Sequence, residues 1–286
     1  MRQYGIGYQG SKSQIAEEII GHLPAGKCLV DLFGGGFAIS HCGLLSGKYE
    51  RILYNDINPL LPILIQDAID GKYNYERFIP EWIDRETFFR KKDSDGYVRF
   101  CWSFSCNGHD YLFGKDVEEM KKAGHEWIFF GKPIPGFDDI KCDLPCEPQY
   151  FSARRKELAL YAKKQKETRC KMQHLEQIER VQRLEHIEHI QRMQQIERIQ
   201  RVQQIEQVKR TQLELRCMDY RDYKYEDGDV VYCDIPYPNS VDLRVTKNYQ
   251  TAFDHGAFYQ WAISRPYPVY FSVISWAGSS GKATSM

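Results

Sequence analysis

Lys27-Cys28-Leu29-Val30-Asp31-Leu32-Phe33-Gly34-Gly35-Gly36 is the stretch on which the fold turns. Its first six residues form a short, largely apolar run of the kind buried in a parallel sheet, and the glycines end it. A helical pattern starts at Phe37. Arg51-Ile52-Leu53-Tyr54-Asn55-Asp56 repeats the strand signature, and a helix through Leu60, Leu64 and Ile65 follows. The order predicts an α/β fold built on a strand, a tight turn, a helix and a strand. Asp56 ends the second strand, 20 residues after Gly36. Such a unit makes a nucleoside-cofactor site at the carboxyl edge of a parallel sheet. Glycines let the backbone approach the ligand, and the acid accepts ribose hydroxyls. A dinucleotide fingerprint asks for another glycine three residues on, where Ile39 stands, so S-adenosylmethionine, which has no pyrophosphate, fits better than NAD.

Upstream, Ser13 to His22 reads as an amphipathic helix with Ile15, Ile19 and Ile20 on one side, ended by Leu23-Pro24-Ala25-Gly26. The turn Tyr8-Gln9-Gly10-Ser11-Lys12 precedes it, with Ser11 or Ser13 as the expected cap. Downstream, residues 73 to about 150 are richer in aromatics and glycine and less regular. From Gln149 to Asp227 there is neither Gly nor Pro. Inside that stretch apolar residues recur every third position, from Met172 and Leu175 to Ile196, Ile199, Val202, Ile205 and Val208. Three residues fall about 60° short of a helical turn, so the apolar line winds around the helix instead of forming one buried stripe. A long, mostly exposed helix is expected there, with a disordered or solenoid-like arrangement as the alternative. After it, Val230-Val231-Tyr232-Cys233-Asp234 and Val269 to Ile274 read as strands, with a helix over Asp254 to Ile263 between them.

The chain has 286 residues with 39 basic and 39 acidic side chains, which excludes a uniformly basic nucleic-acid coat but not a local basic face. No stretch reaches the ~18 to 20 apolar residues of a membrane span, and the N-terminus has no signal-peptide core. Nine cysteines lie scattered without paired CxxC spacing, as suits a reducing cytosol. Cys142-x-x-x-Cys146 lacks a second ligand pair at useful spacing, so no metal site is expected.

Asp234-Ile235-Pro236-Tyr237 directly follows a strand. A carboxylate, a main-chain carbonyl and an aromatic ring on a proline-stiffened turn can clamp a planar base: the two acceptors take the hydrogens of an exocyclic amine and the ring stacks. The plainer reading is an acidic strand end before a routine proline turn.

Four ordered motifs resemble the Dam-type DNA adenine methyltransferases. They are Tyr8-x-Gly10-Ser11-Lys12, Asp31-x-Phe33-Gly34-Gly35-Gly36, Asn55-Asp56-Ile57-Asn58 and Tyr232-Cys233-Asp234-x-Pro236-Tyr237. Trp102-Ser103-Phe104, Phe253-Asp254-His255 with Phe258-Tyr259-x-Trp261, and a triplet-like repeat are similar to the phage and prophage branch of that family. The resemblance implies a Rossmann-like, S-adenosylmethionine-dependent methyltransferase sheet with an inserted, largely helical recognition region and a long helical repeat insert. It implies cofactor contacts from Tyr8, Lys12, Asp56 and Asp234, with Phe33, Gly34 and Gly36 shaping the pocket. Asp234, the Ile235 carbonyl, Pro236 and Tyr237 would form the catalytic corner. Residues 1–72 and 218–286 would be the catalytic domain, 73–152 the target-recognition region and 153–217 the repeat insert. The partner implied is double-stranded DNA with a flipped base, in the cytoplasm of a bacterial or phage-infected cell. Arg90, Lys91, Lys92, Lys115, Lys121 and Lys122 are candidates for phosphate contacts.

Two departures bear on activity. Ile235 stands where the family has proline, and the sequence ends at Trp276 to Met286 without the family's closing hairpin. Competing expectations are transfer to the cytosine amine, which uses a similar clamp, and a catalytically impaired DNA-binding or assembly protein dominated by its repeat.

Overall fold

The computed structural model describes residues 3–136, 140, 143–171, 194–207, 212–236 and 253–272. Five strands form one sheet: β1 (Gly26–Asp31), β2 (Tyr49–Asn55), β3 (Leu213–Arg216), β4 (Asp229–Cys233) and β5 (Val269–Phe271). Their order is β3-β2-β1-β4-β5 and every neighbouring pair is parallel. Leu29 lies between Ile52 and Val230, and Val30 between Leu53 and Val231, so β1 is the central strand, paired on both sides.

Alternation along these strands feeds two cores. Leu29, Ile52, Val230 and Tyr232 pack against α1 (Ala16–His22) and α2 (Ala38–Ser46). Cys28, Val30, Leu53, Val231 and Cys233 face the other way, onto Phe258 and Trp261 of the helix His255–Ile263. Burial on both sides explains why the strands read as continuous apolar runs. The predicted strands fall within two residues of the observed ones at their starts. Of the last strand signal, Val269 to Ile274, residues 273 and 274 lie outside the described residues.

Between β2 and β3 the described chain is helical: α3 (Leu60–Ile69), α4 (Arg85–Lys91), α5 (Gly96–Cys101), α6 (Glu118–Phe130), α7 (Phe151–Lys171) and α8 (Gln194–Gln204). The helix His255–Ile263 is α9. Asp84 and Asp95 cap α4 and α5 by accepting the N–H groups of Thr87 and Val98. The expected serine cap on α1 is not formed: Ser13 Oγ accepts the N–H of Tyr4, at 2.8 Å, and so ties the N-terminal segment down.

Three expectations are corrected. Leu213–Arg216, placed at the end of the repeat insert, is the edge strand of the sheet, in register with Ile52–Asn55. Its Leu-Glu-Leu-Arg alternation is a strand signal inside a stretch otherwise poor in helix breakers. The last part of the repeat is not exposed either, since Ile196, Ile199, Val202 and Ile205 are at most 1% accessible. The winding apolar line meets two cores in turn. Ile196 packs with Trp127, Phe129 and Phe151, while Ile199, Val202 and Ile205 pack with α3 and α5. A 3-10 turn over Ile205–Gln207, where three residues make one turn, follows the helix at the end of this described part of the repeat. Finally Lys121 is buried, with its ammonium 5.7 Å from the Phe113 ring centre, and is not placed for phosphate. Arg90, Lys91 and Lys115 are exposed, and Lys92 and Lys122 half-buried. Met172 to Met193 of the repeat, Cys142 and the segment 273–286 lie outside the described residues.

Candidate active site

The chain leaves β1 toward β2 and β3 on one side and later returns to β4 and β5 on the other. The connections therefore diverge at the carboxyl ends of β1 and β4, and open parallel sheets hold their ligands in the crevice created there. Three carboxylates stand at this edge: Asp31 ends β1, Asp56 follows β2 and Asp234 follows β4.

Lys12 reaches in from the N-terminal turn. Its Nζ lies 2.6 Å from Asp234 Oδ2 and donates to the Gly10 carbonyl at 3.1 Å. The two side chains are 10% and 18% exposed, so the ion pair is largely withdrawn from water. Asp234 is engaged on its other oxygen as well, because Ser272 Oγ donates to Oδ1 at 2.7 Å.

Asp56 is held by backbone. Gly35 N–H donates to Oδ2 at 2.9 Å and Asn58 N–H to Oδ1 at 2.8 Å. Burial pushes this carboxyl up to about 6, against the pull of the two N–H groups. Asp31 is raised further, to about 7. Burial is the main cause, the Ser40 hydroxyl opposes it, and the charges of Asp234 and Asp56 add to it. Ser40 Oγ donates to Asp31 Oδ2 at 2.8 Å, and Oδ1 is buried with no hydrogen-bond partner among the described residues.

The glycine loop is shaped by the protein before any ligand is considered. A Cβ on Gly34 would lie 2.2 Å from the Tyr54 ring, and one on Gly36 2.5 Å from Tyr8 Cβ. The Tyr54 hydroxyl donates to the Gly35 carbonyl at 2.7 Å, and Gly34 N–H donates to the Asn55 carbonyl at 2.8 Å. Gly34 and Gly36 thus let Tyr54 and Tyr8 close on the loop, a role that the sequence reading gave to ligand approach alone. Tyr8 sits between this loop and Phe100, with ring centres 5.6 Å apart. Phe33 turns to the other wall, with Tyr220, Phe253 and Phe258 5.4 to 5.8 Å from its ring centre.

After Asp234, Ile235 is buried in the core beside Phe258, and the Pro236 carbonyl accepts from His255 Nε2 at 2.6 Å. Tyr237 lies outside the described residues. The site residues expected from sequence and described here thus gather into two groups. Lys12 and Asp234 are in contact, and the Gly34–Gly36 loop joins Tyr8 to Asp56. Phe33 leans away from Tyr8, into the aromatic wall.

Sequence reasoning missed three contributors. Ser272 holds Asp234, and its own oxygen accepts from Tyr232 OH at 3.2 Å. Asn55 uses its whole amide: it donates to the carbonyls of Leu32 and Met218 at 3.0 Å and accepts from Met218 N–H at 2.9 Å. It thereby stitches the ends of β1 and β2 to the segment after β3. Asn55 and Tyr232 carried a local signal, since both stand in motifs quoted above, whereas Ser272 carried none.

Among the described residues no group of three or more His, Cys, Asp or Glu side chains is arranged to hold a metal ion, and no helix is long and apolar enough to cross a membrane. Residues 8–113 match the family model described as D12 class N6 adenine-specific DNA methyltransferase. None of the curated proteins matches the chain. The matched segment includes Tyr8, Lys12, the glycine loop and Asp56, and ends before Asp234.

Proposed function

We propose, from the match of residues 8–113 to the family model described as D12 class N6 adenine-specific DNA methyltransferase, that the chain is an enzyme of that class and that its residues divide the work as follows. The family's reaction moves a methyl group from a donor of the S-adenosylmethionine type to the exocyclic amine of adenine in DNA. The donor proposed is S-adenosylmethionine itself, which supplies an electrophilic methyl carbon on a sulfonium. The character of the crevice supports this choice: three carboxylates, Asp31, Asp56 and Asp234, stand at this edge of the sheet, and the Lys12 ammonium pairs with Asp234. That balance suits a cationic ligand and repels a pyrophosphate.

In this reading Asp56 takes the ribose hydroxyls with the lone pairs that Gly35 and Asn58 leave free, and Tyr8 and the glycine loop wall the pocket together with Phe33. Lys12 orders the Asp234 end. Asp234 and the Ile235 carbonyl accept the two amine hydrogens of adenine, Pro236 stiffens the turn, and Tyr237 stacks on the base. The amine lone pair, otherwise delocalised into the ring, is then aimed at the methyl carbon. Most of the acceleration comes from this positioning. As the N–C bond forms and the C–S bond breaks, the surplus amine proton leaves to solvent. The base must leave the duplex to reach the corner. Residues 73–152 are assigned to target recognition, with Arg90, Lys91 and Lys115 as phosphate contacts. Residues 1–72 with 218–286 form the catalytic part, and 153–217 carry the repeat, corrected for the strand at Leu213–Arg216. The work is assigned to the cytoplasm of a bacterial or phage-infected cell.

The observation that carries the reading is the contact between Lys12, inside the matched segment, and Asp234, outside it. It brings the candidate catalytic acid to the cofactor end of the sheet. The test is incubation with labelled S-adenosylmethionine and mixed-sequence DNA, digestion to nucleosides, and mapping of the modified positions. N6-methyladenine is expected. N4-methylcytosine, or no incorporation at all, overturns the reading.

A further inference from the structure

We propose that Ser272, itself oriented by Tyr232, is a positioning residue that fixes the plane of the Asp234 carboxylate for methyl transfer. The inference rests on the role of Asp234 given above.

The parallel register of β4 and β5 pairs Tyr232 with Tyr270 and Cys233 with Phe271, so Asp234 and Ser272 are the next opposed pair, just beyond the strands. Side chains two residues apart on a strand share a face, which puts Tyr232 with Asp234 and Tyr270 with Ser272. The geometry follows from that register. Ser272 Oγ lies 2.7 Å from Asp234 Oδ1, and Tyr232 OH lies 3.2 Å from Ser272 Oγ.

The direction of the chain of hydrogens is settled by what each group can do. An ionised carboxylate only accepts, so the single hydroxyl hydrogen of Ser272 goes to Asp234. Ser272 then has only lone pairs to offer Tyr232, and the phenol donates. Tyr232 is 2% exposed, so water does not compete freely for that bond. Its effect is to hold the serine hydroxyl pointed at Asp234.

Lys12 cannot do this alone. An ammonium on a four-carbon stem is a nearly isotropic point charge, and the carboxylate torsion it faces is broad. One contact on Oδ2 leaves the carboxylate free to rotate about its bond to Cβ. A second contact on Oδ1, from a neighbouring strand, fixes the plane and with it the direction of the lone pairs left for the adenine amine. Misalignment there costs rate while leaving most of the binding contacts in place.

The test compares Ser272→Ala, Ser272→Thr and Tyr232→Phe with the parent full-length protein, using S-adenosylmethionine and a duplex that contains a mapped methylated adenine. Single-turnover rates, both KM values and melting temperatures are read, with Asp234→Ala run in parallel. Ser272→Ala is expected to lower the transfer rate ~10- to 100-fold. Its KM values should move less than ~3-fold, since the binding contacts remain. Ser272→Thr, which keeps the hydroxyl, restores most of the rate, and Tyr232→Phe falls between. A Ser272→Ala protein as fast as the parent overturns the proposal, as does one altered only in KM. So does a Thr variant as slow as Ala at an unchanged melting temperature. If the parent transfers no methyl, or Asp234→Ala is as active as the parent, the functional reading falls first and takes this inference with it.

Discussion

Lys12 and Asp234, 222 residues apart in the chain, meet with 2.6 Å between Nζ and Oδ2 at the mouth of the β1–β4 crevice. The contact ties the N-terminal turn to the end of β4 and sets a cation directly against the candidate catalytic acid. Removing one partner of a mostly buried pair leaves the other charge uncompensated. Lys12→Ala is therefore expected to lower methyl transfer at least ~10-fold and to destabilise the fold by ~1 to 3 kcal/mol. Lys12→Arg should not restore the rate, because a planar fork cannot reproduce the compact ammonium. Transfer assays and thermal melts read both effects; full activity in Lys12→Ala would show that the pair plays no part in the reaction.

Ile235 stands where the Dam-type enzymes that this motif resembles have proline, and its side chain is buried beside Phe258. Proline would fix φ and hold the following carbonyl more firmly, while losing some apolar packing. An Ile235→Pro variant is expected to transfer methyl a few-fold faster than the parent and to lose ~1 kcal/mol of stability. A slower variant would contradict the role assigned to this turn.

Asp31 and Asp56 titrate at about 7 and about 6 because they are buried. Both folded values lie above the ordinary carboxylate value near 4, so between about pH 4 and 7 the folded chain binds more protons than the unfolded one. Stability from these groups is thus greatest on the acid side and is lost as the pH rises through 6 and 7. Asp31→Asn keeps an acceptor for Ser40 and cannot ionise. Its melting temperature should exceed the parent's by ~5 °C at pH 8, the difference shrinking toward pH 5. Parallel curves across that range would refute the account.

The same ionisation couples to the donor. A bound sulfonium favours the charged carboxylates, so affinity for S-adenosylmethionine should rise ~10-fold between pH 5.5 and 7.5. The neutral thioether product should gain much less. Titration calorimetry at the two pH values checks this, and equal gains for both ligands would exclude the electrostatic explanation.

Ile199 tests the reassignment of the repeat's end. An isoleucine on an exposed helix can be cut to alanine within ~0.5 kcal/mol, whereas one with no accessible surface costs ~2 to 5 kcal/mol. The larger loss is expected for Ile199→Ala by denaturant melts. Beside it Arg198 donates to the carbonyls of Cys101, at 3.2 Å, and Ser103, so this helix also braces the Trp102-Ser103-Phe104 segment.

What the sequence made legible was local. Asp31 to Gly36, then Asp56 at the next strand end, could be read because a strand, a tight turn and an acid follow one another within one βαβ unit. Asp234 could be read from its place after an apolar run. Partners fixed by tertiary register could not. Nothing near Ser272 says that β5 will lie beside β4 with that residue opposite Asp234. Leu213–Arg216 was hidden because four alternating residues are a faint signal after a long helix-favouring stretch. The burial of Ile196 to Ile205 was not legible because a three-residue period cannot serve one flat surface, whereas two separate cores take its successive positions in turn.

The most direct measurement is methyl incorporation into DNA by the parent and by Asp234→Ala, with melting temperatures confirming that both are folded. The account predicts N6-methyladenine from the parent and a loss of at least ~1,000-fold in the variant, since the acid both holds the amine and orders the corner. Equal incorporation by a folded Asp234→Ala protein would contradict it.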